Sequence, residues 1–180
     1  VQRLTGRVVK AKDRILTLLD EIKQYGKQKE EALDLHPTPI HTLMEDTLAI
    51  VSLDPDVHGM EVTPSFAEGF SVSCDKNKII QILINLIRNA AQAMNKTGTI
   101  FLNVKEEGNA ALIEVVDQGA GIPPEHIEQI WKPFFSTKGD EGTGLGLAIC
   151  QKIAAAHKGR LHCESTVGKG TTFTLSLPKQ

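Results

Sequence analysis

Aromatic residues are scarce: one Trp, one Tyr and six Phe among 180 residues, 4% of the chain. Proteins that stack single-stranded bases need repeated aromatic platforms, so the composition argues against that class. Neither sign of charge is in excess. Twenty Lys and Arg stand against 22 Asp and Glu, a net charge of −2. Nothing in that balance marks a polyanion-binding protein, and no nucleic-acid partner is expected. Cysteines are few: Cys74, Cys150 and Cys163. An odd count without regular spacing argues against a disulfide framework and for a reducing compartment. It shows no metal-ligand spacing either. The longest apolar run, 79–87, is interrupted by Gln81 and Asn85. It falls far short of the roughly 20 residues a membrane span requires. The N-terminus carries no signal-peptide pattern. A soluble, cytoplasmic chain is expected, with one full core and an appendage.

The appendage is residues 1–31. Leu4, Val8, Ala11, Ile15, Leu18, Ile22 and Tyr25 are spaced 4, 3, 4, 3, 4, 3. That is a heptad seam, with charges on the other faces. Such a helix has nothing in its own segment to cover the seam, so a partner helix is expected; packing on the following domain is the alternative.

The remainder, 33–180, alternates element types. A short strand is expected over 33–36. A helix follows, with Thr38 as N-cap and Pro39 at its first position, running to about Val51. Strands are expected at 60–66 and 70–73. Asp75 caps a helix to about Met94, with Ile79, Ile80, Leu83, Leu86, Ile87 and Ala90 on its apolar face. Strands 99–106 and 110–117 flank the turn Glu107-Gly108-Asn109. Pro123-Pro124-Glu125 opens a short helix. A longer one spans 144–157, closed by Lys158-Gly159. Strands 160–165 and 171–177 finish the chain. The order is a long helix, then β-α-β-β-α-β-β-α-α-β-β: an α+β fold, with a mixed sheet and helices layered on one face.

Several positions could carry chemistry. Ile113, Val115 and Asp117 share one face of their strand, which aims the Asp117 carboxylate between sheet and helices. A carboxylate there needs a partner, and an exocyclic amine of adenine would serve; a simple turn cap is the alternative. Asn85 and Asn89, at i and i+4, stack on one helix face with Gln81 and Gln92 nearby. Amide oxygens are hard donors of the kind Mg²⁺ accepts; a solvated face is the alternative. Gly142-x-Gly144-x-Gly146 leads into a helix whose free N–H groups favour phosphate. It lacks the Lys-Ser/Thr ending of a P-loop and the frame of a dinucleotide fingerprint. Phe134 and Phe135 precede a polar, Gly-containing segment and could anchor a lid. Lys138 could reach a terminal phosphate as a point charge, or be a solvated loop lysine. The six histidines show no ligand or nucleophile pattern; surface or half-buried positions are expected for them.

Together these pieces resemble the catalytic, ATP-binding domain of sensor histidine kinases, within the GHKL superfamily of gyrase, Hsp90 and MutL type ATPases. Asn85-Leu-Ile-Arg-Asn89-Ala-Ala-Gln-Ala resembles the N box and Asp117-Gln-Gly-Ala-Gly121 the G1 box. Pro133–Lys138 is similar to the F box, Gly142–Leu147 to the G2 box, and Gly168-Lys-Gly-Thr-Thr-Phe to the closing strand. The Phe-Phe-Ser-Thr-Lys wording is most similar to the nitrogen-regulation type. The resemblance implies a two-layer sandwich of the Bergerat type over 33–180. It implies that Asp117 binds the adenine amino group, with Thr172 nearby through water, and that Asn89 ligates Mg²⁺. Gly119, Gly121, Gly142, Gly144, Leu145 and Gly146 would line the ATP, and Lys138 would touch its terminal phosphate. ATP-hydrolysing relatives carry a glutamate base where Asn85 stands. An amide cannot take that proton, so Asn85 argues for phosphoryl transfer over hydrolysis. Asn85 and Lys138 are therefore the expected catalytic pair. Gln81, where many relatives carry an acidic residue, leaves open how the acceptor is activated.

The resemblance also implies that 1–31 is the second helix of a dimerisation and phosphoacceptor hairpin. The first helix, with the acceptor histidine, has no counterpart in the sequence, and His36-Pro37 stands in the wrong context. The implied partners are that histidine domain, a response regulator and a second copy in the full-length protein, whose attachment to a membrane is left open. The alternative is a GHKL ATPase working as a nucleotide-driven switch.

Overall fold

The computed structural model describes residues 32–66, 69–137 and 142–179, with Lys12, Ile15, Leu16, Leu18, Leu19, Ile22, Lys23 and Gly26. Those eight isolated positions have helical backbone. Leu4, Val8, Ala11 and Tyr25 of the seam lie outside the described residues.

Two X-Pro pairs decide how the ordered part begins. A residue before proline is pushed to extended backbone, so His36-Pro37-Thr38-Pro39 forms strand β1 (His36–Pro39). It pairs antiparallel with β3 (Ser71–Cys74), Pro39 opposite Ser71. This corrects the expected strand at 33–36 and the expected cap. Pro39, held extended by that pairing, is itself the N-cap of α1 (Ile40–Ser52), and no side chain caps it. The Thr38 hydroxyl instead donates back to the His36 carbonyl (3.2 Å).

Helix α2 (Lys76–Ala93) starts as the sequence indicates: Asp75 accepts from the Lys78 N–H at 3.2 Å. It stops because Asn95 and Lys96 turn left-handed (φ 52° and 58°), the Lys96 N–H bonding back to the Ala91 carbonyl (2.8 Å). Ile79, Ile80, Ile82, Leu83, Leu86 and Ile87 are buried along it. Full burial of each such side chain is worth about 2 kcal/mol.

The remaining strands are β2 (Met60–Phe66), β4 (Gly98–Glu107), β5 (Ala110–Asp117), β6 (Arg160–Thr166) and β7 (Gly170–Pro178). They form one sheet in the order β2-β4-β5-β7-β6, parallel at β2–β4 and antiparallel elsewhere. From β1 onward the expected element order holds, but β1 and β3 form a separate two-stranded ribbon. In the main sheet Ile100, Leu102, Val104, Ile113, Val115, Phe173, Leu175 and Leu177 are buried on one face. Helices α2 and α4 (Gly146–Ala156) pack there and against each other, while the short α3 (Pro124–Ile127) lies against β6. Among the described residues no helix is long and apolar enough to cross a membrane.

Candidate nucleotide site

The buried face of β5 ends in a carboxylate. Asp117 is 4% exposed, in line with Ile113 and Val115. Its Oδ1 accepts the Gly119 N–H at 2.8 Å. Burial pushes its carboxyl above the ordinary value, and the backbone amides of Gly119 and Thr171 pull part of the way back. An ionised Asp117 is thus stabilised by two amides, which offset only part of the effect of burial.

The turn beyond Asp117 is fitted against α2 and against the β6–β7 hairpin. A Cβ on Gly119 would stand 2.7 Å from the Ala93 carbonyl oxygen. A Cβ on Gly121 (φ +72°) would stand 2.2 Å from the Thr166 carbonyl oxygen. Both clashes are with backbone, so only glycine allows this approach. The Ala120 N–H donates to the Ala93 carbonyl (3.3 Å) and the Gly168 N–H to the Ala120 carbonyl (2.8 Å).

The other glycine run meets the same helix one stretch earlier. Gly144 is left-handed (φ +68°), so the helix expected from 144 begins at Gly146. A Cβ on Gly146 would stand 2.4 Å from Asn85 Nδ2. Leu145 is the N-cap and no side-chain oxygen occupies that role, which leaves first-turn amides for a ligand. Leu145 is itself fully buried, so it offers backbone to a ligand while its side chain packs in the core. Gly142 and Thr143 precede it half-buried, and the Leu145 N–H points to the Thr143 hydroxyl at 3.4 Å.

Asn85, Asn89 and Ala93 are spaced i, i+4, i+8 and form one stripe along α2. Asn89 Nδ2 donates to Asn85 Oδ1 at 3.1 Å. The stripe therefore runs from Gly146, through two side-chain amides, to Gly119 and Asp117, about 12 Å along the helix axis. Arg88 points elsewhere, pairing through Nε with buried Asp54 at 2.7 Å. With Nδ2 engaged on Asn85, the other heteroatom of Asn89 is a carbonyl oxygen, a hard donor of the kind Mg²⁺ takes. Among the described residues no cluster of three His, Cys, Asp or Glu could hold a metal instead.

His157 fixes the register of the two helices. Its Nδ1–H donates to the Ile153 carbonyl (2.8 Å), so Nε2 accepts the Asp75 N–H (3.0 Å). The end of α4 is thereby tied to the start of α2, while the start of α4 meets Asn85. His157 is 4% exposed, a correction to the expected surface or half-buried position. No sequence signal distinguished it from the other five histidines.

Two expected residues sit differently. Thr172 pairs with Val116, whereas Asp117 pairs with Thr171. Strand alternation puts Thr172 on the opposite face, so Thr171, buried, is the hydroxyl beside Asp117. Phe135 packs edge-on against His126 (5.4 Å), but Phe134 is 67% exposed at φ +66°, so only one of the two aromatics is anchored. Lys138 lies outside the described residues. Two surface hollows, of about 550 Å³ beside α3 and about 420 Å³ between α1 and β2, share no residue with the stripe.

Residues 74–180 match the family described as histidine kinase-, DNA gyrase B-, and HSP90-like ATPase. Sensor histidine kinase ZraS of Escherichia coli (strain K12) is 34% identical over 179 residues, 98% of this chain and 37% of that protein. Sporulation kinase C of Bacillus subtilis (strain 168) is 34% identical over 152 residues, 83% of this chain and 35% of that protein. The chain thus spans 35–37% of the length of these two relatives. Full-length ShkA, solved with AMPPNP, superposes with a TM-score of 0.84 over 99% of this chain and 38% of its own. At 24% identity that is a likeness of fold. Histidine kinase ThkA, solved with response regulator protein TrrA, superposes with a TM-score of 0.80 at 27% identity, over 97% of this chain and 50% of its own.

Proposed function

We propose that this chain, which belongs to the histidine kinase-, DNA gyrase B- and HSP90-like ATPase family, is the catalytic part of a sensor histidine kinase. It binds ATP with Mg²⁺ and passes the γ-phosphate to a histidine on a dimerisation helix, for relay to a response-regulator aspartate. The observation that carries this reading is the stripe on α2. It joins a buried carboxylate at one end to uncapped helix amides at the other, with two side-chain amides between them.

Asp117 accepts the adenine amine, and Gly119 and Gly121 let the backbone approach the base. Gly142, Gly144, Leu145 and Gly146 offer backbone N–H groups to the phosphates. Asn89 holds the metal, which when bound neutralises phosphate charge. Lys138 adds a point charge at the terminal phosphate. Asn85 orients Asn89 through their hydrogen bond and, as an amide, is no base toward water. The site therefore positions ATP and leaves the nucleophile to the acceptor.

Residues 1–31 act as one helix of a dimerisation hairpin, and the acceptor histidine lies on the other helix of that hairpin. Of the described seam residues, Ile15 and Ile22 are about half exposed and Leu18 is half-buried, which supports a helix whose seam is open to a partner. The ThkA–TrrA complex supports a response regulator as the downstream partner. The chain works in the cytoplasm.

The test is incubation with γ-labelled ATP and Mg²⁺, with and without a separately supplied hairpin domain carrying the acceptor histidine. Acid-labile label on that domain alone is expected. Label on this chain itself would make one of its own six histidines the acceptor and contradict the proposal.

A further inference from the structure

We propose that Ser165 is a specificity-determining positioning residue. Its hydroxyl orients that of Thr171 so that the row of side chains ending at Asp117 offers only acceptors, selecting a 6-amino purine over a 6-keto purine. The inference rests on the nucleotide reading above.

Ser165, Thr171 and Asp117 are successive cross-strand partners on β6, β7 and β5. Directly paired residues point to the same side of a sheet, so the three form a row on one face. A serine hydroxyl has one proton and two lone pairs. The Ile122 N–H donates to Ser165 Oγ at 2.8 Å. The Gly170 carbonyl lies 2.9 Å from the same oxygen and can only accept, so it takes the one Ser165 proton. The third contact, 2.9 Å to Thr171 Oγ1, must then use the proton of Thr171. Thr171 is left with lone pairs to turn toward Asp117. Asp117, when ionised, is also an acceptor only.

A ligand edge with an amine finds two acceptors there. A keto oxygen finds no donor, and a buried polar atom without a partner costs more than the lost bond itself. Without Ser165, the Thr171 proton is no longer committed and can turn to a keto oxygen. The plainer role, a brace holding Ile122 to the hairpin, predicts loss of affinity without loss of discrimination.

The experiment is calorimetric binding of ATP and of inosine triphosphate, each with Mg²⁺, to the whole chain and its variants. The unaltered chain prefers ATP. Ser165→Ala lowers the ATP-to-inosine triphosphate preference about tenfold, by tighter binding of the keto nucleotide. Ser165→Thr keeps the hydroxyl and restores the preference. Thr171→Val lowers the preference too, and Ser165→Ala adds nothing in that background. Equal weakening of both nucleotides in Ser165→Ala overturns the proposal. If that variant does not fold, an unchanged preference in Thr171→Val overturns it. Equal affinity of the unaltered chain for both nucleotides overturns it while leaving the nucleotide reading intact. Binding of neither overturns the nucleotide reading, and the proposal with it.

Discussion

The two ends of the α2 stripe are built by different means. At Asp117 the turn is held from three sides: by Ala93, by the Thr166–Gly170 hairpin, and by the Ser165–Thr171 hydroxyls. At Gly146 the helix start has no side-chain cap and rests on a pair of amide side chains. Recognition of a flat base rewards a pre-set cavity, because ordering it on binding would cost affinity. Phosphates are charged and need only donors and a cation at the right distance. On the proposed reading, the base end is therefore fixed during folding, and the phosphate end would be completed by its ligand.

That contrast is broken most severely at Gly170. It sits at φ +110°, and a Cβ there would stand 2.0 Å from the Asp117 carbonyl oxygen. Gly170→Ala should cost roughly 3 kcal/mol or more in denaturant unfolding. Gly168, two residues away at φ +75°, has nothing within 4 Å of that position. Gly168→Ala should cost only about 1 kcal/mol, from backbone strain alone. Equal losses at the two sites would remove the tight fit from the account.

Asp117→Asn separates recognition from stability. Burial holds the folded carboxyl above 3.8, its ordinary value. A group raised on folding makes stability fall as pH rises from the ordinary value through the raised one. Ionised Asp117 is thus a cost at neutral pH, absent below 3.8. The variant should melt no lower than the parent and yet bind ATP roughly 100-fold more weakly, as loss of a hydrogen bond to a charged group implies. In the parent, ATP affinity should fall on acidification through the raised value, since protonation removes an acceptor. A melting temperature well below the parent's would show that the carboxylate serves the fold.

The elements around both ends were legible in the sequence where the pattern was local. Helix α2, with its Asp75 cap and 3.6-residue apolar spacing, and the β4–β5 hairpin around Glu107-Gly108-Asn109 follow from neighbouring residues. What was not legible depends on register between distant strands. Thr171 and Thr172 are adjacent threonines, and only pairing with β5 decides which faces Asp117. Ser165 looks like any strand serine until the hairpin brings it to Ile122. Strands near both β1 and β3 are expected, but not that they pair with each other apart from the main sheet, which is again a matter of pairing between distant segments.

At the phosphate end the effects should be smaller and of another kind. Gly146→Ala forces Asn85 to move, but the obstacle is a side chain rather than backbone. Binding of ATP should weaken roughly tenfold while binding of adenosine is unchanged, consistent with loss of one to two amide contacts. Asn89→Ala should leave adenosine binding intact and abolish transfer together with its dependence on Mg²⁺. Metal-dependent transfer in that variant would exclude Asn89 as the ligand.

The smallest expected effect concerns the core behind the base end. Burial pushes the Cys163 thiol up to about 12, helped by the charges of Asp117 and Glu164, and Cys150 also to about 12. Thiol reagents should label neither at neutral pH until the chain unfolds. Labelling of Cys163 in the folded chain would show that the core behind Asp117 opens.

One measurement goes to the division between the two ends. Calorimetric affinities of adenosine and of AMPPNP with Mg²⁺ are compared for the parent chain, Asp117→Asn and Asn89→Ala. Asp117→Asn should weaken both ligands by the same factor, and Asn89→Ala only the one that carries phosphates. Adenosine affinity that is unchanged by Asp117→Asn would contradict the placement of the base at Asp117, and with it the orientation of ATP along α2.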